Sequence, residues 1–284
     1  MILIAESGAT KTDWCSVSKD GTLRRIRTKG LSPITLSYEG MKEIASVAVP
    51  SVNPSGESVA EIFFYGAGFV SESLTAPLRE ILGMWCPFAR VHFESDLTAA
   101  ARALFGNGTG VVAIIGTGSN SCLWEDGSIV RNIRPGGFIL GDEGGGVSLG
   151  KRILSDYIKG LLPESLAESF DSKYGLDYAS IVAHVYKGEE TQRFLASFAE
   201  FAVEYLEDEY IKGIVHDNLC SLFERSLSRY GCLRVGIVGS LGFALKDQIL
   251  AVAEEYGLEV VRFVKAPMDE LVKFHFPGSD RLIQ

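Results

Sequence analysis

The sequence of 284 residues contains no long apolar run and no low-complexity segment. No stretch approaches the roughly 20 apolar residues that cross a bilayer, so we expect no membrane-spanning helix. The short apolar run at the N-terminus has no basic region before it, and we therefore expect no signal peptide. Hydrophobic residues make up 46% and charged residues 22% of the chain, which is an ordinary globular composition. These features predict a cytoplasmic protein whose length suits two domains.

Cysteine and histidine are scarce, and their spacing does not indicate a metal site. The five cysteines are widely separated and include no C-x-x-C pair. This pattern predicts reduced thiols in a cytosolic protein and neither a disulfide framework nor a metal site. The four histidines also lack the spacing of metal ligands, and we assign them no role. The cysteines are Cys15, Cys86, Cys122, Cys220 and Cys232, and the histidines are His92, His184, His216 and His275.

The charge balance of the chain is acidic. Lysine and arginine number 27 against 36 aspartates and glutamates, which gives a net charge of −9 and a sequence pI of about 5.1. A protein of this charge is a poor partner for nucleic acid or an anionic membrane. An anionic nucleotide is still an acceptable ligand, because backbone N–H groups and a metal ion can hold it locally.

One pattern of strands and loops occurs twice. Residues 1–5 form an apolar strand that runs into the polar loop 6–13, and residues 110–115 form another that runs into 116–120. After each loop come a strand, an Asp-Gly turn and a further strand. Because the later segments alternate between strand and helix, the sequence predicts two related α/β domains. We place them at residues 1–109 and 110–284, with a helical insertion at about 160–230 in the second.

The loop after the first strand combines glycine, hydroxyl and charged residues. Gly8 lets the backbone approach a ligand closely, Thr10 offers a hydroxyl, and Lys11 offers a cation. Glu6, at the end of the strand, could hold Mg²⁺ through water, because Mg²⁺ keeps several waters and binds few protein carboxylates. A plain hairpin turn is the alternative.

The loop after the second strand is a stronger signal. Gly116, Thr117 and Gly118 follow a wholly apolar strand, so their N–H groups are predicted to lie at the edge of a core. Backbone N–H groups in such loops can bind phosphate oxygens. Two loops of this kind, one in each domain and facing each other across a cleft, could hold a nucleoside triphosphate.

Asp96 follows a short strand and opens an alanine-rich helix. A carboxylate at a strand end in an open α/β domain faces the ligand crevice, and phosphoryl transfer to an alcohol needs a group that accepts the hydroxyl proton. Asp96 is therefore a candidate general base. The alternative is that it, or Ser95, only caps the helix.

Two further segments are candidates for ligand contacts. Residues 141–146 are too rich in glycine for an ordinary helix start, since glycine costs about 1 kcal/mol per helix position relative to alanine. Asp142 and Glu143 in this segment could bind sugar hydroxyls or water on Mg²⁺, or could simply favour the helix dipole. Gly239 and Ser240, between a strand and a helix, could lie against an adenine or a ribose, with a turn as the alternative.

Five motifs, in this order along the chain, carry a family resemblance. They are residues 7–14, 95–100, 115–120, 137–144 and 239–240. They resemble the BadF/BadG/BcrA/BcrD ATPase family and its N-acetylglucosamine kinase branch, and the resemblance covers essentially the whole chain. It implies the fold of the actin, hexokinase and Hsp70 superfamily, in which two ribonuclease H-like domains flank a nucleotide cleft.

The resemblance also implies roles for individual residues. Thr10 and Thr117 would contact the phosphates of ATP, and Asp96 would take the proton from a sugar hydroxyl. Asp142 would hold other sugar hydroxyls, and Asn120 would lie close to the transferring phosphate. The residues that would border the nucleoside are Gly239 and Ser240.

The chain departs from the family pattern at three points. Glu6 stands where the family usually has Asp, and Ser32 stands where an Asn often contacts the sugar. Residues 135–137, which end at the candidate substrate residue Gly137, replace the Gly-Trp-Gly that kinases of known amino-sugar specificity tend to carry. These departures bear on the turnover rate and on the identity of the sugar.

The sequence thus predicts a kinase that uses ATP and Mg²⁺ to phosphorylate a small sugar, N-acetylglucosamine or a relative. Its partners would be small molecules, with a homodimer left open. One alternative is a sensor or inactive paralogue that binds sugar or nucleotide without turnover. Another is an activator ATPase, whose relatives hold an iron–sulfur cluster at a dimer interface on cysteines close to glycines, a pattern that this sequence lacks.

Overall fold

Two five-stranded sheets, each in its own compact unit, form the framework of the protein. The structure is a computed structural model that describes residues 1–8, 11–67, 69, 71–188 and 190–278. The first unit comprises residues 1–107 together with the chain from Ala266, and the second unit comprises residues 108–265.

The first unit begins with a meander of three strands and continues with alternating helices and strands. Its sheet has the order β3-β2-β1-β4-β5. The pairs β1–β2 and β2–β3 are antiparallel, whereas β1–β4 and β4–β5 are parallel. The elements are β1 (Ile2–Ser7), β2 (Lys11–Val17), β3 (Leu23–Lys29), α1 (Tyr38–Val52), β4 (Glu61–Gly66), α2 (Glu72–Trp85), β5 (Arg90–Ser95) and α3 (Asp96–Phe105).

The second unit repeats this topology and adds helices. Its sheet has the order β10-β9-β6-β7-β8, with β6 in the place of β1. The elements are β6 (Gly110–Ile115), β7 (Ser119–Glu125), β8 (Ser128–Ile133), α4 (Gly137–Leu140), α5 (Gly146–Ile158), α6 (Glu164–Tyr174), α7 (Tyr178–Lys187), α8 (Thr191–Ser197), α9 (Ala199–Glu204), α10 (Glu209–Arg225), a 3₁₀ helix (Leu227–Tyr230), β9 (Arg234–Val238), α11 (Ser240–Ala244), α12 (Lys246–Glu255) and β10 (Glu259–Val264).

Successive side chains of the strands point to opposite faces of the first sheet, and each face is covered by a hydrophobic core. In β1, Leu3 and Ala5 point into a cluster under α1 and α2, whereas Ile4 points into a cluster on the other face. This is the pattern expected when successive side chains of a strand face opposite ways and both faces are covered. The sheet is therefore fixed from both sides, which holds the ends of its strands in place.

The helical insertion predicted in the second domain is present as α6 to α10 and the 3₁₀ helix. Its aromatic residues Phe170, Phe198, Phe201 and Phe223 are fully buried in one core with residues of β6 and β9, as expected for core packing. Within the described part of the chain, none of the helices combines the length and apolar character needed to cross a bilayer. The predicted α/β class with two related domains is confirmed.

The last described helix, α13 (Met268–His275), belongs to the first unit. Its residues Met268, Leu271 and Val272 pack against β1, β2 and α3 on the second face of the first sheet. The sequence assigns residues 110–284 to the second domain, and the structure differs from this at Ala266. The reason is the apolar face of α13, which shares a buried cluster with Ile4, Cys15 and Ala99 of the first unit.

Candidate functional site

The parallel strands of the first unit bring Glu6 and Asp96 to one edge of the sheet. Glu6 is in register with Tyr65 of β4, which is in register with Glu94 of β5. Asp96 begins α3 directly after β5 ends. Because the carboxyl ends of parallel strands lie at the same edge, the two acids are close enough to interact electrostatically.

Glu6 is a carboxylate in an environment that disfavours its charge. Burial, followed by repulsion from Asp13 and a smaller repulsion from Asp96, raises the pKa of Glu6 to about 7, against the opposing attraction of Lys11 and Arg27. Among the described residues Glu6 forms no hydrogen bond or ion pair through its carboxylate. Asp13, by contrast, is paired with Arg27 (Nε to Oδ1, 2.6 Å) and with Lys11 (3.3 Å).

This crowding of carboxylates fits a cation. A divalent ion near Glu6 would relieve both the desolvation of its charge and the repulsion between acids. The fit agrees with the predicted role of Glu6 in holding Mg²⁺ through water.

A buried hydroxyl network fixes the segment that carries Ser32. The hydroxyls of Ser7 and Thr12 lie 2.9 Å apart, and both accept the N–H of Leu31 at 2.9 Å. The hydroxyl of Ser7 donates to the Leu31 carbonyl at 2.8 Å. This places Ser32 beside the end of β1, where its own hydroxyl accepts the N–H of Ile34 at 3.3 Å in a local turn.

Gly8 follows the end of β1 and contacts the start of β2. The N–H of Gly8 donates to the carbonyl of Lys11 at 2.9 Å. A Cβ at Gly8 would make only ordinary contact, at 3.8 Å from the same carbonyl oxygen, so the fold itself does not require glycine there. Thr10 lies outside the described residues.

Asp96 is not the cap of its helix. The N-cap is Ser95, whose hydroxyl accepts the N–H of Thr98 at 3.0 Å. The carboxylate of Asp96 accepts the N–H of Leu97 at 2.9 Å, and burial raises the pKa of Asp96 despite this hydrogen bond. No ion pair within the described ranges includes Asp96. Its carboxylate therefore has acceptor capacity left for a ligand hydroxyl.

In the second unit, the loop of residues 116–118 is held by the start of α5. The carbonyls of Gly116 and Thr117 accept the N–H groups of Gly146 and Val147, both at 2.8 Å. The N–H of Gly116 donates to the carbonyl of Gly118. The N–H groups of Thr117 and Gly118 donate to no atom of the described residues, so they are available to an anion.

Asp142 lies directly against this loop. It is 4% exposed, has a φ of 60°, and accepts the N–H of Ser119 at 3.4 Å. Burial is the largest cause that raises the pKa of Asp142. A Cβ at Gly145 would lie 2.6 Å from the Gly118 backbone. The glycine density of residues 141–146 therefore reflects backbone packed on backbone.

The neighbouring acid, Glu143, is already paired. Its carboxylate lies 2.7 Å from Nε of Arg225, and the next N–H, of Gly144, donates to Oδ1 of Asn218 at 3.2 Å. Both partners lie on α10. Gly137, with a φ of 70°, begins the short helix α4 before this segment.

Gly239 and Ser240 lie at the same sheet edge as residues 116–118. Gly239 has a φ of 128°, and a Cβ there would overlap the carbonyl of Ile115, the last residue of β6. Ser240 begins α11. Asn120, in β7, accepts the N–H of Ser121 at 2.9 Å and the side-chain amide of Asn132 at 3.1 Å.

Most of the predicted residues thus form one group in each unit, and Asn120, Gly137 and Glu143 stand outside these groups. In the first unit Glu6, Gly8, Lys11, Ser32 and Asp96 lie around the end of β1. In the second unit the residues around the end of β6 are Gly116, Thr117, Gly118, Asp142, Gly239 and Ser240. The ion pair between Glu143 and Arg225 and the hydrogen bond from Gly144 to Asn218, both made with α10, were not predicted.

Three comparisons with known proteins bear on the family. No family model matches the chain, and no curated protein matches it. The predicted link to the BadF/BadG/BcrA/BcrD family therefore stays a prediction.

Comparison with solved structures shows which proteins this chain is similar to. A Streptomyces griseus ROK family glucokinase, in complex with glucose and AMPPNP, has a TM-score of 0.58 at 15% identity, over 99% of this chain and 98% of its own. A putative N-acetylglucosamine kinase from Chromobacterium violaceum has a TM-score of 0.73 at 19% identity, over 96% and 98%. A putative N-acetylglucosamine kinase from Porphyromonas gingivalis has a TM-score of 0.93 at 34% identity, over 98% and 99%. The chain belongs to the same family as this Porphyromonas gingivalis protein.

Proposed function

We propose that this protein is a sugar kinase that transfers the γ-phosphate of ATP to a hydroxyl of N-acetylglucosamine or a related amino sugar. The family membership and the sugar-kinase fold support this proposal. The observation that carries it is the half-buried carboxylate of Asp96, which is not the helix cap and has no cation partner among the described residues.

Asp96 acts as the general base in this proposal. As the hydroxyl oxygen of the sugar bonds to the γ-phosphorus, the bond from that phosphorus to the bridging oxygen of ATP breaks, and ADP leaves. The hydroxyl proton passes to Asp96. An ordinary carboxylate suffices, because the hydroxyl becomes acidic only as the new bond forms. The burial that raises the pKa of Asp96 makes it a somewhat better base.

The phosphate groups are assigned to backbone and cationic groups of the two loops. In the second unit the unbonded N–H groups of Thr117 and Gly118 would donate to phosphate oxygens, with Gly116 allowing close approach. In the first unit Gly8, Thr10 and Lys11 would also contact phosphate oxygens, and Lys11 would add positive charge. Gly239 and Ser240 would border the nucleoside.

Mg²⁺ would be held through water by Glu6 and would offset negative charge on the β- and γ-phosphates. The need for an added cation is supported by the raised pKa of Glu6, which burial and the neighbouring acids cause.

The sugar is assigned to polar groups of both units. Asp142, buried and fixed by the loop geometry, would accept hydrogen bonds from sugar hydroxyls. Ser32, Asn120 and Gly137 are proposed as further contacts. Glu143 is proposed to contact the sugar together with Arg225, because its carboxylate is already paired with the Arg225 guanidinium. The predicted cytoplasmic location and the open alternative of a homodimer stay predictions.

A substrate screen tests the proposal. The protein is incubated with Mg-ATP and, separately, N-acetylglucosamine, N-acetylmannosamine, N-acetylgalactosamine, glucosamine or glucose, and products are followed by ³¹P NMR and mass spectrometry. We expect one sugar phosphate per ADP with an N-acetylhexosamine. The matched control is Asp96→Asn.

Two outcomes would contradict the proposal. ADP formation that does not depend on any sugar would favour an ATPase, and iron and sulfide analysis would then test the activator alternative. Sugar binding without product would favour the sensor, an alternative that Glu6, Ser32 and the missing tryptophan motif support.

A further inference from the structure

We infer that His216, Cys220 and Glu255 form a binding site for a zinc-like divalent cation on the second unit. His216 and Cys220 are four residues apart on α10, so they lie on one face of that helix. Glu255 is the last residue of α12. One donor atom from each of the three residues lies within 4.8 Å of the others.

The distances between the donor atoms suit a tetrahedral ion. Nε2 of His216 lies 3.6 Å from Sγ of Cys220, and 3.0 and 3.3 Å from the two carboxylate oxygens of Glu255. A tetrahedral ion with bonds of about 2.0 Å to nitrogen and oxygen and about 2.3 Å to sulfur separates its ligands by roughly 3.3 to 3.6 Å. The distances from His216 to Cys220 and to Glu255 are therefore close to those that such a site requires, and the third pair of donor atoms lies within 4.8 Å.

The donor set selects the class of metal. An imidazole nitrogen and a thiolate suit borderline-soft ions such as Zn²⁺, whereas Mg²⁺ and Ca²⁺ take oxygen ligands. Three protein ligands leave one tetrahedral position for water, because the side chains of His216 and Glu255 are about half exposed, at 48% and 51%. This site is thus distinct in chemistry and residues from the proposed Mg²⁺ position near Glu6.

The surroundings of the three ligands favour a cation. Asp217 adds a carboxylate oxygen 4.0 Å from Nδ1 of His216. A carboxylate beside the second ring nitrogen is a common way to orient a histidine ligand. The hydroxyl of Tyr256 donates to the Cys220 carbonyl at 3.4 Å, which links the interior of α10 to the C-cap of α12.

Binding at this site is a ligand exchange without oxidation or reduction. The thiol of Cys220 loses its proton to water as the sulfur–metal bond forms. The contact between His216 and Glu255 is replaced by their two bonds to the ion.

The test uses the tag-free, full-length protein after metal removal with a chelator and thorough dialysis. Zn²⁺ affinity is measured by competition with a chromophoric chelator, and Co²⁺ serves as a spectroscopic probe of the ligands. We expect one equivalent of Zn²⁺ per chain and a Co²⁺ complex with a thiolate charge-transfer band and tetrahedral ligand-field bands. His216→Ala, Cys220→Ser and Glu255→Gln should each weaken Zn²⁺ binding by about tenfold or more.

Matched controls use residues of the same types outside the cluster. Cys232→Ser, His184→Ala and Glu254→Gln should bind Zn²⁺ like the unaltered protein, and circular dichroism checks that every variant is folded. The inference is wrong if no thiolate band develops, or if the band survives in Cys220→Ser. It is also wrong if the band disappears in Cys232→Ser. A variant that combines His216→Ala, Cys220→Ser and Glu255→Gln gives a further check, and the inference is wrong if this variant binds Zn²⁺ as tightly as the unaltered chain.

Discussion

Gly118 is in contact with the carboxylate of Asp142, so that a Cβ on Gly118 would lie 2.6 Å from Oδ2 of Asp142. Since Asp142 is buried and its backbone is fixed by a hydrogen bond from its own N–H to the Pro135 carbonyl, the side chain has little room to withdraw. One glycine of the proposed phosphate loop thus sets the position of the proposed sugar-binding acid.

We therefore predict that Gly118→Ala displaces Asp142 and lowers the affinity for the sugar. Overpacking of this kind typically costs about 1 to 3 kcal/mol of stability. The matched control is Gly116→Ala, since a Cβ there meets no atom within 4 Å. Urea unfolding should show a loss for Gly118→Ala and almost none for Gly116→Ala. Equal losses for the two variants would contradict the steric argument.

Replacement of Asp96 tests the general base. Asp96→Asn keeps an oxygen that can accept the N–H of Leu97, and Ser95 still caps α3, so we expect a folded protein that binds ATP. Its kcat should fall by about 10²- to 10⁴-fold, the usual effect of losing a general base. Steady-state kinetics with the best sugar of the screen measure this fall.

The control for Asp96 is its neighbour. Ser95→Ala removes the cap and should cost about 1 kcal/mol of stability, with a much smaller effect on kcat. If Asp96→Asn transferred phosphate at the original rate, Asp96 would have no place in the mechanism.

Glu6 governs the metal requirement in the proposed function. Glu6→Gln removes the carboxylate, whereas Glu6→Asp shortens it by one methylene and restores the residue usual at this position in the resembling family. We expect Glu6→Gln to need a higher concentration of free Mg²⁺ for half-maximal rate and Glu6→Asp to need no more than the original protein. Initial rates over a Mg²⁺ series decide this, and the same Mg²⁺ dependence in Glu6→Gln would remove Glu6 from the metal site.

The sequence predicts the elements well where local signals agree. The strand Gly110–Ile115 has the predicted bounds, and the alanine-rich helix begins at Asp96 as predicted, because an apolar run and a clear turn or cap mark each one. The helix α1 continues to Val52, although Pro50 predicts a loop. Its buried residues Val49 and Val52 pack into the core, and this packing outweighs the missing N–H of the proline.

The site could be predicted only as far as its residues lie in local motifs. The contacts of Asn218 with Gly144 and of Arg225 with Glu143 join residues that are far apart in the sequence, and no sequence pattern predicts them. The cluster of His216, Cys220 and Glu255 was missed for a similar reason, because two ligands lie on one helix and the third lies on another.

His275 is held as a neutral ring under the first sheet. Its ring stacks on Phe63 at 3.7 Å between centroids, and its Nε2 lies 2.5 Å from the hydroxyl of Tyr65. Arg102 donates to the same hydroxyl oxygen at 2.7 Å. Because arginine can only donate, Tyr65 accepts from Arg102 and can donate its own hydroxyl proton to Nε2 of a neutral His275.

This arrangement predicts a stability that depends on pH. Burial, with repulsion from Arg102 and His92, lowers the pKa of His275 from 6.5 to about 4. The unfolded chain therefore binds a proton that the folded chain does not between these values, so stability is full above pH 6.5 and falls as the pH drops toward 4. We expect His275 to account for a loss of about 2 kcal/mol between pH 6.5 and 4.5.

Urea unfolding at several pH values, followed by circular dichroism, measures this loss. His275→Gln loses the ring contacts, so its unfolding free energy should be lower at pH 7. Because glutamine cannot be protonated, that free energy should change less as the pH falls. His184→Gln is the matched control, because His184 also stacks on a phenylalanine, Phe194, at 4.6 Å between centroids, yet belongs to the second unit and is not among the groups that lower the pKa of His275. If His275→Gln kept the full pH dependence, the buried network around Tyr65 would not be its source.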